Sequence, residues 1–369
     1  MKKLMALVLS IIMIACVAAG CAVPAATDGE VTESAATQAP KAETSVETKE
    51  AVRETAEGMK NESEESTEEI IAQVIDTDMS VLKGLKVGFA QRITTIAWEA
   101  AVLDDIKAAA EKYEIDFICT DGDNDQSKQI ADVEDLCAQG IDVLIYPAVE
   151  YEAGAAALEI AAQYEVPVFL AFTDCKKEAN QYVAAAQTSY VNDGKMCAQW
   201  IIDNMESAKI VEIQGQLGSD TEIGRETGFG ETIAAAGDNY EIIVQQTGNF
   251  MMDDAQAAME NIIQSYNGQF DTVYAHNDEM ALGVVAALKA AGLEGIKVVT
   301  IDGQKAAVQE VINGNITAII TCEHRIGEQI FSMIAAYKNG EDQPKDTIIP
   351  SQIIDANNAE EAMTNGMAF

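Results

Sequence analysis

The sequence predicts an α/β fold with two doubly wound parallel-sheet lobes. Two observations lead to this fold: short apolar runs of strand length alternate with amphipathic helical stretches, and the alternation starts again in the second half of the chain. Short, continuously apolar strands separated by helices are typical of parallel sheets that are covered on both faces. Ligands bind beyond the carboxyl ends of such strands, so the expected ligand cleft lies between the two lobes.

The elements of the first predicted lobe begin at residue 85. A strand over Leu85–Ala90 precedes a helix over Thr95–Tyr113, whose apolar residues recur at the spacing of one helical face. The further strands are predicted over Asp116–Cys119, Val143–Tyr146 and Pro167–Phe172, and the further helices over Ser127–Gln139 and Glu152–Tyr164.

The second predicted lobe repeats this alternation. Its strands are Lys209–Gln214, Glu241–Gln246, Thr272–Ala275 and Val298–Ile301, and its helices are Glu222–Ala236, Asp254–Tyr266, Glu279–Ala291 and Ala306–Asn313. Glycine directly follows several predicted helices in both halves, where it is favoured because it adopts the left-handed conformation that ends a helix. These glycines are Gly140, Gly292 and Gly314.

Three chain segments are predicted to join the lobes as a hinge. They lie near Gln187–Tyr190, Thr321–Glu323 and Ile349–Gln352. The N-terminal lobe is predicted to comprise residues 81–188 plus 322–349, and the C-terminal lobe residues 189–321 plus 350–369.

The first 20 residues carry a predicted export signal. Lys2 and Lys3 precede an apolar run over Leu4–Val17, which is short for a membrane span, and small residues then lead into Ala18-Ala19-Gly20-Cys21. This ending resembles a bacterial lipobox, and the resemblance implies a signal peptide over residues 1–20 and a lipid attached to Cys21. The alternative is an ordinary signal peptide followed by an incidental cysteine.

The segment from Cys21 to about residue 80 is a predicted tether. Residues 22–80 contain 15 acidic and 4 basic side chains and are rich in Ala, Thr and Ser. Low hydrophobicity combined with repulsion between like charges cannot offset the entropy cost of ordering, so we expect this acidic segment to be disordered.

The composition argues against several function classes. The formal net charge of −38 disfavours binding to nucleic acid or to an anionic membrane by charge. An enzyme has little support, because the chain has two histidines and neither a P-loop nor a GxGxxG that opens a helix after the first strand. The export signal argues against a transcriptional regulator. The internal cysteines show no CxxC spacing, so we expect free buried thiols and neither a metal site nor a disulfide framework. They are Cys119, Cys137, Cys175, Cys197 and Cys322. No cofactor is predicted.

Several polar side chains follow strands of the second lobe. Asn277 lies between a strand and a helix, so its amide offers a donor and an acceptor to the cleft. Asp302 ends another apolar strand, and Arg225 supplies a planar set of donors suited to neighbouring hydroxyl oxygens. Together these groups fit a polyhydroxylated ligand. Asp278 is expected to cap the following helix, and the alternative for Arg225 and Asp302 is an ion pair between the lobes.

Three motifs in this order resemble the ribose-binding type of periplasmic binding protein, whose lobes also form the cores of lactose-repressor-like regulators. They are Ala275-His276-Asn277-Asp278-Glu279-Met280-Ala281-Leu282-Gly283, Arg225-x-x-Gly228-Phe229 and Ile301-Asp302-Gly303, followed by Gly314 and Gly327. The resemblance covers nearly all of Leu85–Asp355. It implies the periplasmic binding protein type 1 fold and ligand contact by Arg225, Asn277 and Asp302.

Two aromatic residues match positions where the family places the apolar walls of a sugar site. Trp98 lies at the start of the first helix, and Phe250 follows Gly248-Asn249 after a strand. For either of them, a role in the hydrophobic core is the alternative. Trp98 is the stronger candidate, because Ala97 and Glu99 beside it favour a helix start at the cleft.

The N-terminal half of the expected cleft departs from the ribose-binding pattern. Ile96-Ala97-Trp98-Glu99 replaces an Asn-Pro-Phe-Phe-like motif, Tyr146 replaces a common asparagine, and Thr321 replaces a glutamine. Asp174 lacks the arginine that often follows it in the family. Glu99 either accepts from ligand hydroxyls or stabilises the start of the first helix. These departures argue against ribose itself, and they add Glu99, Tyr146, Asp174 and Thr321 to the candidate ligand contacts.

The resemblance implies a monomeric extracytoplasmic solute-binding lipoprotein, anchored in the cell membrane through its lipid. Its partners would be a small-molecule sugar or polyol and the transmembrane subunits of an ABC permease, to which it would deliver the ligand by closure of its lobes. A sensor lipoprotein that presents a sugar-like signal molecule to a membrane receptor is the alternative, since both functions use the same closed state.

Overall fold

The computed structural model describes residues 76–266 and 268–369. The predicted signal peptide, Cys21 and nearly all of the predicted tether lie outside these residues. Within the described part of the chain, no helix combines the length and the apolar character that a membrane span requires.

The two predicted lobes are present, each built on its own six-stranded sheet. The first lobe runs through β1 (Lys86–Gln91), α1 (Ala97–Lys112), β2 (Asp116–Asp121), α2 (Gln126–Ala138), β3 (Val143–Tyr146), α3 (Ala155–Gln163), β4 (Val168–Phe172) and β5 (Ala184–Thr188). The second runs through α4 (Tyr190–Asn204), β6 (Ala208–Gln214), α5 (Asp220–Ala236), β7 (Tyr240–Thr247), α6 (Met252–Tyr266), β8 (Thr272–Ala275), α7 (Asp278–Ala291), β9 (Lys297–Asp302), α8 (Lys305–Ile312) and β10 (Ala318–Thr321). The chain ends with α9 (Gly327–Asn339), β11 (Asp346–Ile349), β12 (Ile353–Asp355) and α10 (Ala359–Ala362).

The sheet order shows how the chain passes between the lobes. The first sheet has the order β11-β5-β4-β3-β1-β2, and all of its strand pairs are parallel. The second has the order β12-β10-β9-β8-β6-β7 and is parallel except for the edge strand β12, which pairs antiparallel with β10. The chain therefore crosses between the sheets after β5, after β10 and after β11. The prediction of two α/β lobes with parallel sheets is confirmed.

Close packing of α4 against α5 positions one wall of the cleft. A Cβ atom added at Gly228 would lie 1.9 Å from the carbonyl oxygen of Val191, and one added at Gly194 would lie 2.2 Å from that of Arg225. The next residue, Phe229, stacks on Tyr274 with ring centroids 4.0 Å apart. The Arg-x-x-Gly-Phe motif thus seats α5, and with it Arg225, against its neighbours.

Replacement of Gly228 by alanine is expected to lower the free energy of unfolding by about 2–3 kcal/mol, because the added methyl group meets rigid backbone. Gly230, on the same helix, provides the matched control, since an added Cβ there meets no atom within 4 Å. Gly230→Ala should leave stability unchanged or raise it by about 0.5–1 kcal/mol. Urea unfolding of both variants measures the difference, and equal stabilities would contradict the packing argument.

Candidate ligand-binding site

A pocket lies between the two lobes at the carboxyl ends of their strands. Its empty space, including the part open to solvent, is about 370 Å³. Its lining combines charged, polar and aromatic side chains from both lobes. These residues are Arg92, Ile96, Trp98, Glu99, Tyr190, Thr221, Arg225, Phe250, Asn277, Asp302 and Cys322.

Arg225 and Asp302 form a buried ion pair on the second lobe's side of the pocket. A guanidinium nitrogen of Arg225 lies 3.2 Å from Oδ1 of Asp302, and its other terminal nitrogen donates to the carbonyl of His276. Burial raises the pKa of Asp302 above its ordinary value, and the Arg225 guanidinium opposes this shift. Both residues belong to the second lobe, so the alternative of an ion pair between the lobes is wrong.

The backbone is strained at two residues of this wall. Asp302 has φ +137° and Phe250 has φ +62°, in the region that favours glycine. Such strain costs on the order of 1–3 kcal/mol per residue and is found where the surrounding structure fixes a functional group. The ring of Phe250 covers the backbone of Gly215, because a Cβ atom added there would lie 2.0 Å from the ring.

Asn277 and Asp278 have roles different from those expected. Asn277 is itself the cap of α7, since its Oδ1 accepts from the N–H of Met280 at 3.0 Å, and its amide nitrogen donates to the carbonyl of Phe250 at 3.3 Å. Asp278 is not the cap: its Oδ2 accepts from the N–H groups of Gly303 and Gln304 at 2.8 and 2.7 Å. Asp278 therefore holds the loop that follows Asp302.

A buried histidine lies behind this wall. Nδ1 of His276 accepts from the N–H of Gly215 at 3.3 Å, so the ring proton lies on Nε2, which donates to Glu212 at 2.8 Å. Because the carbonyl of His276 also accepts from Arg225, this histidine helps to position the guanidinium.

The first lobe contributes a second buried ion pair. Arg92 directly follows β1, and its Nη1 lies 3.5 Å from Oε1 of Glu99, which is in the first turn of α1. The amide of Gln91 donates to the backbone carbonyl of Glu99 at 3.0 Å. Burial raises the pKa of Glu99 to about 7, although Arg92 opposes the shift. The expectation about Glu99 did not foresee Arg92 as its partner.

The raised pKa of Glu99 predicts a pH dependence of stability in the ligand-free protein. Because its pKa is about 7 in the folded state and 4.5 without burial, the folded state holds a proton that the unfolded state releases between these values. The associated stability is fully present below the unfolded pKa and is lost as the pH rises through about 7.

Comparison with Glu99→Gln, which cannot titrate, isolates this contribution. In urea unfolding at about pH 5 and about pH 8, the free energy of unfolding should fall less in the variant than in the natural protein. Identical falls in the two proteins would show that Glu99 does not titrate in this range.

Trp98 serves both the pocket and the core. It lines the pocket, its indole Nε1 donates to the carbonyl of Cys322 at 2.9 Å, and its ring lies edge-on to Phe172 with centroids 5.0 Å apart. It is 7% exposed. The two alternatives considered for this residue are therefore compatible, since Trp98 packs in a core cluster and also borders the pocket.

Among the residues that the structure describes, four buried polar atoms of the lining have no hydrogen-bond partner. They are Nε of Arg92, Oε2 of Glu99, Oγ1 of Thr221 and Nε of Arg225. An unpaired buried donor or acceptor costs about 1–3 kcal/mol. Two donors, one acceptor and one hydroxyl of pocket-lining residues are therefore left unsatisfied.

Three expected contact residues lie away from the pocket lining. Tyr146 is in the core of the first lobe, where its hydroxyl accepts from the Gln126 amide and donates to the carbonyl of Gly154. The Asp174 carboxylate pairs with Lys177 instead of facing the pocket. Thr321 is the last residue of β10, and its hydroxyl accepts from the N–H of Gln352 at 2.8 Å.

The described structure has the two lobes in contact next to the pocket. The N–H of Asp174 in the first lobe donates to Oδ2 of Asp220 in the second at 2.9 Å, and the N–H of Tyr151 donates to the carbonyl of Gly218 at 3.0 Å. The side chain of Tyr151 also packs on Ile223. These contacts join the two lobes directly beside the pocket.

Five lining residues were not predicted from the sequence. They are Arg92, Ile96, Tyr190, Thr221 and Cys322. Arg92 directly follows β1, just as Asp302 ends β9. A search for polar residues at the ends of all strands would therefore have found Arg92. Tyr190 is the first residue of α4 and Thr221 is the second of α5. Nothing in their sequence neighbourhood indicates which helix starts face the cleft.

Comparison with known proteins gives the family. Residues 87–342 match the profile of the periplasmic binding protein domain. The galactofuranose-binding protein YtfQ of Escherichia coli is 30% identical over 73% of this chain and 87% of its own length. The fructose import binding protein FruE of Bifidobacterium longum is 32% identical over 66% of this chain and 75% of its own.

Solved structures agree with this match. The binding protein of the arabinose ABC transporter from Shewanella sp. ANA-3, determined with arabinofuranose bound, is similar with a TM-score of 0.73 and 29% identity, over 76% of this chain and 96% of that one. These relatives are binding proteins and not enzymes, as the sequence predicts for this chain. The chain belongs to the periplasmic binding proteins of type 1, the family that includes the ribose- and galactofuranose-binding proteins.

Proposed function

We propose that this protein is an extracytoplasmic solute-binding lipoprotein that captures a small polyhydroxylated molecule, a sugar or a sugar alcohol, and delivers it to an ABC permease. The observation that carries the proposal is the set of four unpartnered polar atoms around one inter-lobe pocket. Each is buried, and together they offer both donors and acceptors, which is what hydroxyl groups require.

The walls of the pocket support a sugar as the ligand. Trp98 of the first lobe and Phe250 of the second each give the pocket a flat apolar surface. The C–H faces of a sugar ring stack on such surfaces. Arg225 and Asp302 supply charged hydrogen-bonding groups, which form the stronger hydrogen bonds. The ligands named for three relatives are galactofuranose, fructose and arabinofuranose, and all three are monosaccharides.

Lobe closure is the proposed mechanism of capture. Arg92 and Glu99 belong to one lobe, whereas Arg225 and Asp302 belong to the other, so a ligand that bonds to both pairs links the lobes. It therefore favours the closed form by the difference between its affinities for the closed and open forms. The crossings after β5, β10 and β11 would act as the hinge.

The attachment and the partners of the protein extend this proposal. A lipid on Cys21 would hold the protein at the outer face of the cell membrane, and the acidic tether would let the lobes reach the permease. We propose that the protein acts as a monomer, because each chain supplies both halves of the pocket.

A thermal-shift screen tests the proposed ligand class. Pentoses, hexoses, sugar alcohols and amino acids are added in turn, and a ligand that binds only the folded state raises stability by RT ln(1 + [L]/Kd). At least one sugar or sugar alcohol should raise the melting temperature. Stabilisation by amino acids alone would overturn the proposal.

A further inference from the structure

We propose that the buried Arg92–Glu99 pair is a specificity determinant, which makes the pocket accept uncharged sugars and reject sugar acids. The inference rests on the proposed function, because it concerns which sugars the same pocket takes. Both side chains are nearly fully buried, at 4% exposure each, and each keeps one polar atom without a partner, Nε of Arg92 and Oε2 of Glu99.

When Glu99 and Asp302 are ionised, the charges of the pocket lining cancel. The lining contains two arginines and two acidic residues, and each lobe contributes one of each: Arg92 with Glu99, and Arg225 with Asp302. A buried charge that lacks a partner is strongly disfavoured. A ligand with a net charge would bring such a charge into a pocket whose own charges are already paired, so the arrangement selects against it.

Glu99 is the residue that controls this balance on the first lobe. Among the described residues that line the pocket, it is the only acidic group from that lobe, and it forms an ion pair with Arg92 at 3.5 Å. If Glu99 becomes neutral, Arg92 loses its ion-pair partner at the ligand space. The variant pocket then carries a net positive charge and favours a carboxylate on the ligand.

The experiment compares matched neutral and acidic sugars by titration calorimetry at about pH 8.5, above the raised pKa of Glu99. The probe pairs are D-galactose with D-galacturonate, D-glucose with D-glucuronate, and L-arabinose with D-galacturonate, which is the same pyranose ring with a carboxylate at C5. For the pair whose neutral member binds most tightly, the natural protein should prefer the neutral sugar at least about a hundredfold. Glu99→Gln should reduce this preference at least about tenfold, whereas Glu99→Asp, which keeps the charge, should retain it.

Asp174→Asn is the matched control, because Asp174 is also a buried carboxylate paired with a cation but lies outside the lining. It should keep the preference of the natural protein. The inference is overturned if the natural protein binds the acids as tightly as the neutral sugars, or if Glu99→Gln binds neutral sugars with an unchanged preference. Absence of binding by every sugar and every sugar acid would reject the proposed function as well, so the two failures are distinct.

Discussion

Replacement of Asp302 by alanine is expected to weaken sugar binding at least tenfold. The carboxylate of Asp302 lies at the pocket, and the backbone of this residue has φ +137°, in the region that favours glycine. The fold therefore holds the residue in place at a cost in backbone strain. A hydrogen bond to a charged group contributes about 1.5–3 kcal/mol, and about 1.4 kcal/mol corresponds to a tenfold change in affinity. Loss of the carboxylate also leaves Arg225 without its partner at 3.2 Å. Titration calorimetry with the sugar that gives the largest thermal shift measures the effect.

Two further variants separate the role of Asp302 in binding from its role in folding. Asp302→Asn keeps the shape and the hydrogen-bonding capacity while removing the charge, so it should lose less affinity than the alanine variant. Tyr146→Phe removes a buried hydroxyl outside the pocket and should leave affinity unchanged. If Asp302→Ala bound sugar as tightly as the natural protein does, Asp302 would not be a ligand-binding residue.

Replacement of Trp98 by alanine is the second change with a large expected effect. It removes an apolar wall of the pocket, and we expect affinity to fall at least about tenfold. It also removes the edge-on contact with Phe172 and the hydrogen bond to Cys322. Truncation of a large buried aromatic side chain costs about 3–5 kcal/mol of stability. Trp98→Phe should restore most of that stability and part of the affinity.

Fluorescence gives a matched control for Trp98. The chain has two tryptophans, and the other, Trp200, lies on α4 and is not part of the pocket lining. A ligand-induced change in fluorescence should persist in Trp200→Phe and disappear in Trp98→Phe. The opposite pattern, or natural affinity in Trp98→Ala, would place the ligand elsewhere.

Hydrophobic periodicity was sufficient to predict the strands and helices that have a clear apolar pattern. It was insufficient for elements whose structure depends on tertiary contacts. The strands β1, β3 and β8 are apolar runs, which the sequence shows directly. The strand β5 reads Ala-Ala-Ala-Gln-Thr, and alanine favours helix by its intrinsic propensity. It is a strand because it is fully buried between β4 and β11, and β11 comes from residues far away in the chain.

Prediction of the site had a similar limit. Residues at the ends of second-lobe strands, such as Asp302, and aromatic residues that match the family's positions reached the pocket lining. Tyr146 also ends a strand, yet its side chain points into the core, because the partners that fix its hydroxyl, Gln126 and Gly154, come from α2 and from the turn before α3. The direction of a side chain at a strand end depends on packing that one sequence does not show.

Small-angle scattering with and without a saturating sugar tests most directly whether a ligand holds the two lobes together. The ligand would join Arg92 and Glu99 of one lobe to Arg225 and Asp302 of the other, so the closed form should be the bound form. The radius of gyration should therefore decrease when the sugar identified by the thermal-shift screen is added, and Asp302→Ala should require more sugar for the same decrease. A radius that stays the same at saturation would contradict capture by closure of the lobes.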